Sequence, residues 1–325
     1  MPVAVVGAGA FGRHHLRVLS GLEGAELIGV ADIDAERARR AAAEFGCQAF
    51  TSWEELPGRV RAAVVAAPTR VHAEIGCGLL EEGIDVLVEK PIAASLEEAK
   101  RLLETAGDKG RILQVGHLES FNPAVEALRR MKTLPLFFEV HRLSVFTPRS
   151  LDIDVVLDLM IHDLDIVLSL TGLTPSEVRA AGISILSPKV DIANVRLEFP
   201  SGCIANLTAS RVSTERVRKL RLFQPGQYVS IDYQRQDGMV VEVGRDGQFG
   251  FRPLAVEKAE PLQRELEAFL ECVRTRQRPQ VGGPEALRAL EVALAILDKI
   301  KEHGRIVAQS LSAYASPGPP PGGPG

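Results

Sequence analysis

The chain has 325 residues and a formal net charge of −4, with 46% hydrophobic and 25% charged residues, as in an ordinary globular protein. This charge gives no basic footprint, so nucleic-acid and membrane partners are not expected. No apolar run approaches the roughly 18 residues of a membrane span. The N-terminal residues predict a strand rather than a signal peptide. Four widely spaced cysteines predict reduced thiols, no metal site and a cytoplasmic protein.

Up to about residue 118, short apolar runs alternate with helical stretches in the order that is typical of βαβ units. The alternation predicts, in chain order, strand 3–6, helix 11–20, strand 27–31, helix 34–45, strand 60–66, helix 70–82, strand 86–88, helix 95–109 and strand 112–115. Because the strands of such units lie parallel, residues 1–118 are predicted to form a doubly wound, dinucleotide-binding Rossmann domain of the α/β class.

Beyond residue 118 the spacing of the apolar residues along the sequence changes. The pattern predicts helix 124–132, strand 136–146, helix 153–171, alternating strands from 178 to 256, and helices 262–275 and 284–302. Alternation such as VRLEF predicts a large open antiparallel sheet with one covered face. Residues 119–311 are therefore expected to form an α+β domain for substrate binding and oligomerisation, whose last helices can pack back on the first domain. Residues 312–325 form a Pro/Gly tail that is expected to be disordered.

The segment VVGAGAFGRHH, residues 5–15, carries a G-x-G-x-x-G motif between a strand and a helix. Gly7 permits a tight turn, Gly9 lets the backbone approach a pyrophosphate, and Gly12 allows close helix packing, while the helix N-terminus favours the negative charge. Asp32 lies twenty residues beyond Gly12, where it would bind the adenosine ribose and disfavour a 2′-phosphate. NAD is therefore favoured over NADP, and Arg37 is the residue that could reverse this preference.

A second segment, AAPTRVH, follows the strand that runs through Val65, at the sheet edge where open α/β folds bind ligands. Thr69 is either a cofactor contact or the N-cap of the next helix. His72 alone is typical of a surface or capping residue. The predicted cofactor site comprises Gly7, Gly9, Ala10, Phe11, Gly12, Asp32, Ala67, Thr69, His72 and Glu89.

Two further segments carry candidate catalytic residues. In VLVEKP, a predicted buried strand is followed by two charged residues. Lys90 is placed there to hydrogen-bond an oxygen on the carbon that exchanges hydride. The alternative is a solvated strand end. VVLDLMIHDLD sets Asp158 and His162 one helical turn apart, with Asp165 on the same stripe. This spacing predicts that Asp158 orients His162 and stabilises its cationic form for general base catalysis. The alternative is a solvated stripe of intrahelical pairs.

Four motifs, namely the glycine turn, PTRVH, EKP and DLMIH, resemble in order and spacing those of the Gfo/Idh/MocA oxidoreductase family, over about residues 1–305. In that family the EKP lysine and the D-x-x-x-H pair act on the substrate, which implies Lys90, Asp158 and His162 as the catalytic set. The resemblance also implies a homo-oligomer, a dimer or tetramer, formed through the open sheet. The approach to Asp158 departs from the family, since many members carry a glycine pair there and this chain has Asp-Val-Val.

The segment GHLESFNP, residues 116–123, is similar to one in the nucleotide-sugar 3-dehydrogenases of that family, which implies a UDP-sugar such as UDP-N-acetylglucosamine, oxidised at C3. Glu119 and Asn122 are expected to bind hydroxyls, although Asn122 can instead cap a helix. Cations for the diphosphate are offered by Arg142, Arg149, Arg211 and the run RVRKLR, which can also be a solvated sheet edge.

Two other functions stay open at this point. A free-sugar or inositol dehydrogenase, or a reductase running in the opposite direction, fits the same motifs, because this fold hosts many substrates. A non-catalytic NAD-binding sensor would be expected to have lost the acid and base residues, and the sequence retains them.

Overall fold

The computed structural model describes residues 1–147, 153–244 and 247–315, with the side chains of 310–315 left aside. Arg149 and residues 316–325, for which the sequence analysis made predictions, lie outside the described residues. Within the described ranges, no helix combines the length and the apolar composition that crossing a bilayer requires.

The first six strands form a parallel sheet in the order β3-β2-β1-β4-β5-β6. Strands and helices alternate as β1 Pro2–Val6, α1 Ala10–Gly21, β2 Glu26–Ala31, α2 Ala35–Phe45, β3 Gln48–Phe50, β4 Ala62–Val65, α3 His72–Glu81, β5 Asp85–Glu89, α4 Leu96–Asp108 and β6 Leu113–Gly116. The central strands are buried throughout because helices cover both faces. The strand order reverses between β1 and β4, which opens a crevice at the carboxyl ends of these strands.

The other eight strands form a second sheet in the order β14-β13-β12-β11-β7-β10-β9-β8. Their bounds are β7 Phe137–Val145, β8 Glu177–Ile183, β9 Ile192–Glu198, β10 Ile204–Ser213, β11 Val217–Gln224, β12 Gln227–Asp232, β13 Asp237–Val243 and β14 Phe249–Pro253. Neighbours pair antiparallel except β7 and β10, which pair parallel. The predicted class, a Rossmann sheet followed by a mostly antiparallel sheet, is confirmed.

Four more helices complete the described part of the chain: α5 Pro123–Arg130, α6 Ile161–Thr171, α7 Pro261–Thr275 and α8 Gly283–Ala315. A π-helical turn, Val156–Met160, leads directly into α6, where the sequence predicts one regular helix. Helix α8 continues past its predicted end at residue 302 and into the first residues of the predicted tail. Good helix formers follow residue 304, and a single glycine is not enough to end a helix.

The last two helices pack against both sheets. Leu266 and Phe269 of α7 lie in the apolar core beside α1, on one face of the first sheet. On the opposite face, Leu290 of α8 is part of the core formed with α3 and α4. About two to three turns further along α8, Ile296 and Ile300 enter the core that covers the second sheet. The long helix therefore contributes to both halves of the molecule.

Candidate active site

The glycine turn has the backbone geometry that a dinucleotide needs. Gly7 has φ +100°, and a Cβ there would lie 2.6 Å from the carbonyl oxygen of Ala66. A Cβ on Gly12 would lie 1.8 Å from the Gly7 carbonyl oxygen, so only glycine lets α1 pack this closely. Gly9 is the N-cap of α1 and makes no side-chain capping bond, which leaves the first N–H groups of the helix open to an anion. The turn fits a pyrophosphate.

Asp32 ends β2 beside this turn. Its carboxylate accepts hydrogen bonds from the backbone N–H of Ala8 (2.8 Å) and of Asp34 (2.9 Å). The Arg37 guanidinium lies 3.4 Å from Asp32 and 3.3 Å from Asp34, so two carboxylates balance its charge. A carboxylate therefore stands where the adenosine ribose of NAD is recognised.

A cavity of about 610 Å³ opens at the carboxyl edge of the first sheet. Its lining comprises Gly7, Gly9, Phe11, Asp32, Arg37, Ala66, Ala67, Pro68, Thr69, Arg70, His72, Glu89, Lys90, Pro91, Ala93, Ala94, Ile153, Asp154, Leu157, Asp158 and Lys189. Most predicted cofactor residues are among them, whereas Ala10 lies in the first turn of α1 and Gly12 beneath the glycine turn. Lys90 and Asp158 line the cavity, whereas His162 is not among its lining residues. The cavity thus joins the dinucleotide turn to Lys90 and Asp158.

The structure decides between the alternatives for Thr69 and gives His72 different surroundings from those that the sequence indicates. Thr69 begins a 3₁₀ turn before α3 and makes no side-chain capping bond, so it is a cavity residue rather than a cap. His72 is 1% exposed, and its ring nitrogens lie 3.0 Å from the carbonyl oxygen of Pro91 and 2.8 Å from that of Ala67. Burial lowers the pKa of His72, and a neutral ring donates to one carbonyl at a time. Instead of being a surface residue, His72 therefore holds the loop after β5 against the end of β4.

Lys90 is not a solvated strand end. Its side chain is 11% exposed, and Nζ donates to the carbonyl oxygen of Asp158 (2.6 Å) and to Oδ1 of the same residue (3.2 Å). Lysine is seldom buried without such a partner. These contacts hold the ammonium at the junction of β5 and the π-helical turn, facing the cavity.

The predicted pairing of Asp158 with His162 is wrong, and a π-helical turn includes the first of these residues. In this turn the N–H of Ile161 bonds to the carbonyl oxygen of Val156, five residues back rather than four. Asp158 pairs with Lys90 instead.

His162 is half-buried, and its Nδ1 has no hydrogen-bond partner among the described residues. Burial, followed by the positive charges of Lys90 and Arg142 and by His117 and Arg218, holds its pKa well below the ordinary value. The predicted stabilisation of the imidazolium is therefore also wrong. The ring is neutral at pH 7, which is the form that a general base requires.

Arg142 is buried within an ion-pair network and does not face the cavity. It donates to Asp163 through Nε (2.6 Å) and Nη2 (2.8 Å), and to Glu119 through Nη1 (2.9 Å). Its side chain is only 2% exposed because it points from the inner face of β7 toward α6. The sequence analysis missed Asp163, although this residue directly follows His162.

Asn122 and Arg211, which were also predicted to bind substrate, form hydrogen bonds within the protein. Asn122 caps α5, and its side-chain amide donates to the carbonyl oxygen of Tyr233 (2.9 Å). Of the two alternatives for Asn122, the helix cap therefore matches the structure. Arg211 is 6% exposed, donates to the carbonyl oxygen of Ile153 and lies 3.7 Å from Asp191. Arg211 therefore holds Ile153, a residue that lines the cavity, and Asn122 holds the start of α5.

Other cations lie nearer to open space. Arg218, from the basic run of β11, is the cross-strand neighbour of Arg142, has a side chain 33% exposed and donates to Glu119 (3.2 Å). Lys189 lines the cavity with a side chain 45% exposed, 4.0 Å from Asp154. These two residues are better placed than Arg142 or Arg211 to meet an anionic ligand.

A buried acid cluster lies beneath Lys90. Glu89 accepts hydrogen bonds from Nε2 of His15 (2.7 Å) and from the backbone N–H of Lys90 (3.1 Å). Glu265 of α7 is fully buried, and neither of its carboxylate oxygens has a hydrogen-bond partner within the part of the chain that is described. One ligand atom from each of His15, Glu89 and Glu265 lies within 4.8 Å of the others. Glu265 was not predicted as a site residue, because it belongs to no local motif.

The cluster holds a proton more readily than a metal ion. The 2.7 Å separation of His15 and Glu89 is a hydrogen bond, shorter than the roughly 3.3 Å between two ligands of a tetrahedral Zn²⁺. Burial, followed by the Glu89 charge, raises the pKa of Glu265 well above its usual range. Burial opposes ionisation of Glu89, but the hydrogen bond and charge of His15 and the charge of Lys90 outweigh it and lower the pKa of Glu89. Glu89 is thus ionised while Glu265 keeps its proton.

We expect Glu265→Gln to stabilise the protein increasingly as the pH rises. A carboxyl group with a raised folded-state pKa favours folding at low pH and loses this contribution from about pH 4.3, its unfolded pKa, upward. Glutamine resembles the protonated acid and does not titrate. Urea unfolding at several pH values should show similar stabilities near pH 4 and a difference that grows toward pH 9. The surface variant Glu271→Gln is the control, and a constant difference would contradict the assignment.

The glycine turn at the switch point of a parallel sheet, with a buried lysine at the same edge, defines a nucleotide-dependent oxidoreductase. Residues 1–117 match the family model described as "Oxidoreductase family, NAD-binding Rossmann fold", and residues 136–224 match the GFO/IDH/MocA C-terminal domain. The chain belongs to the Gfo/Idh/MocA oxidoreductase family, and its cofactor site is of the NAD-binding Rossmann type.

Similar proteins cover nearly the whole chain. The chain is 36% identical to UDP-N-acetylglucosamine 3-dehydrogenase of Acidithiobacillus ferrooxidans, over 91% of this chain and 96% of that protein. A solved structure of that enzyme superposes with a TM-score of 0.88 and 34% identity, covering 93% of this chain and 98% of the other. The chain is also 29% identical to scyllo-inositol 2-dehydrogenase (NAD⁺) of Bacillus subtilis, over 96% and 97% of the two chains.

Proposed function

We propose that this protein oxidises a ring hydroxyl of a nucleotide sugar, such as UDP-N-acetylglucosamine at C3, and transfers the hydride to NAD. The observation that carries the proposal is the buried ammonium of Lys90, held at the cavity that the glycine turn opens. The Lys90 charge helps to lower the pKa of His162, whose ring is therefore neutral. Similarity over 91% of the chain to a UDP-N-acetylglucosamine 3-dehydrogenase supports this substrate class.

Residues 1–118 would hold the cofactor, and 119–311 the sugar. Gly7, Gly9 and the first turn of α1 would bind the pyrophosphate, and Asp32 the adenosine ribose. Thr69 and the neighbouring backbone line the cavity toward Lys90. When bound, NAD supplies the acceptor for the hydride that leaves the hydroxyl-bearing carbon.

The reaction needs one base and one electrophilic group. His162 accepts the hydroxyl proton through its neutral ring, since burial keeps this ring unprotonated at neutral pH. Lys90 stabilises the oxyanion that develops as the O–H bond breaks. Asp158 holds the Lys90 ammonium in place through its carbonyl and carboxylate oxygens. Asp158 is thus a partner of the lysine rather than of the histidine.

The diphosphate of the substrate would meet Arg218 and Lys189, the cations that stay partly exposed. Glu119 and Asn122 then act mainly as supports, because each is buried and already hydrogen-bonded.

We also propose a homo-oligomer in the cytoplasm. Phe249 and Phe251 of β14 are 67% and 69% exposed at the edge of the second sheet, where an apolar surface favours self-association. The four cysteines, none of them in a disulfide, fit a reducing compartment.

The second candidate is an inositol or free-sugar dehydrogenase. Similarity to scyllo-inositol 2-dehydrogenase over the whole chain favours it. The burial of Arg142 and Arg211 also favours it, since these two cations were expected to bind the diphosphate. In this case Lys90 and His162 would keep their roles, and Arg218 would bind no phosphate.

A ligand screen separates these candidates. The protein with NAD is mixed with UDP-N-acetylglucosamine, N-acetylglucosamine or scyllo-inositol, and thermal stability and NADH absorbance are recorded. A ligand at about 100 times its Kd adds about 2.7 kcal/mol of stability. We expect stabilisation and NADH formation with the UDP-sugar. NADH formation with only an unphosphorylated sugar or inositol would favour the second candidate. Stabilisation by NAD with no turnover of any alcohol would indicate a sensor.

A further inference from the structure

His117 is a buried imidazole that faces the candidate base and has no other assigned role. It follows β6, is 1% exposed, and neither of its ring nitrogens has a hydrogen-bond partner in the described ranges. Its ring meets that of His162 edge to face, with centroids 5.9 Å apart and planes at 85°. Burying two unsatisfied ring nitrogens is costly, so a role at this position is to be expected.

The two rings are suited to share a proton through water. Nδ1 of His162 is likewise buried without a partner among the residues described. At this centroid separation a direct hydrogen bond between ring nitrogens, which needs about 3 Å between heavy atoms, is excluded, so proton transfer between the rings requires a bridging water. One water can serve a nitrogen on each ring.

The charges around the pair favour transfer away from His162. Burial, followed by the positive charges of Lys90, Arg142 and Arg218, holds the pKa of His162 well below the ordinary value, which disfavours a proton on this ring. Burial also lowers the pKa of His117, and Lys90 lowers it further, but the carboxylates of Asp165 and Glu89 oppose this. A proton on His117 therefore faces negative charge that His162 lacks.

Asp165 is held in position to supply that charge. Its carboxylate accepts a hydrogen bond from Ser120 and lies 4.0 Å from Arg129, which itself donates to Ser120 (2.8 Å) and to Ser169 (3.1 Å). The sequence analysis placed Asp165 on a stripe with His162. The structure instead places Asp165 in a network with the segment that carries His117.

We propose that His117 is the second group of a proton relay, which receives through one water the proton that His162 removes from the substrate. This inference rests on the proposed dehydrogenase function. The substrate O–H bond breaks and its proton passes to His162 and then to His117, while the C–H hydrogen leaves with its electron pair as hydride to NAD. The proton stays on His117, opposite Asp165, until product release admits solvent. His117 acts through His162 and does not touch the substrate.

Two substitutions test the relay. His117→Phe removes both ring nitrogens, and His117→Gln keeps hydrogen-bonding groups that can hold a water but cannot take up a proton. We expect kcat to fall about 10²-fold in both, in the range of general acid–base catalysis, with KM little changed. The solvent isotope effect on kcat should rise, and kcat should recover with increasing pH as hydroxide replaces the relay. His141→Gln, on the outer face of β7, is the matched control and should behave as the wild type.

Distinct outcomes overturn the proposal. Full activity in His117→Gln would show that His117 only holds a water. A loss of kcat that is independent of pH and of deuterated solvent would show a structural role. The kinetic assay uses any alcohol that the wild type oxidises, so a different substrate leaves the test intact.

A measurement without substrate covers the case in which no alcohol is turned over. Imidazole NMR titrations of the protein should show the pKa of His162 rising in both His117 variants, because a positive neighbour is lost. An unchanged His162 titration would refute the coupling of the two rings, whatever the substrate is.

Discussion

Replacing Lys90 by methionine should lower turnover by about 10²- to 10³-fold, the loss expected when one donor to a developing oxyanion is removed. Methionine keeps most of the apolar stem and loses the ammonium that bonds to Asp158. The cofactor turn lies on other strands, so NAD should still bind. Initial rates of NADH formation measure the first effect, and fluorescence titration with NADH measures the second.

Lys100→Met is the matched control for this experiment. Lys100 is exposed on α4, so the substitution changes the same charge far from the cavity, and turnover should stay at the wild-type level. If Lys90→Met kept full turnover, Lys90 would have no role in the chemistry. If it lost NADH binding as well, Lys90 would act on the cofactor site rather than on the oxyanion.

Replacing Arg142 by methionine should destabilise the protein by about 3–5 kcal/mol, as breaking a buried ion pair does. The variant leaves Asp163 (2% exposed) and Glu119 (7% exposed) without their main counter-charge in the core between β7 and α6. Unfolding in urea, followed by circular dichroism, gives the free energy directly. The slope of free energy against urea concentration should stay unchanged if the native fold is retained.

Arg252→Met provides the comparison, since Arg252 pairs with Glu242 at an exposed strand edge and such pairs contribute about 0–1 kcal/mol. Adding Asp163→Asn to Arg142→Met should recover part of the loss, because the stranded charge is then removed. A small effect of Arg142→Met, or no recovery in the double variant, would mean that Arg142 acts through packing alone.

The features that the sequence predicts correctly are those written into short stretches of chain. The Rossmann sheet follows from alternating apolar runs, and the glycine turn from three residues whose backbone positions exclude a side chain. Strand β3 was missed because its three residues, Gln48–Phe50, form no alternating pattern and have only one buried member. The parallel pairing of β7 and β10 was also missed, since pairing between distant strands has no local signal.

The site was predicted less completely, for physical reasons. The pairing of Asp158 with His162 was predicted from helical spacing, but Asp158 pairs with Lys90, which is remote from it in the sequence. Arg142 looked like an anion-binding cation, but Asp163 and Glu119 satisfy it in the folded chain. A buried pair of this kind forms between separate elements, so neither propensity nor spacing indicates it.

Helix α8 has a consequence for how the molecule can be divided. Leu290 belongs to the core of the first sheet, whereas Ile296 and Ile300, a few residues later, belong to that of the second. A fragment that ends near residue 118 would lack α8, so the apolar residues of the first sheet that α8 covers would be exposed to water. Because one helix belongs to both hydrophobic cores, we expect the two halves to unfold cooperatively in a single thermal transition rather than one after the other.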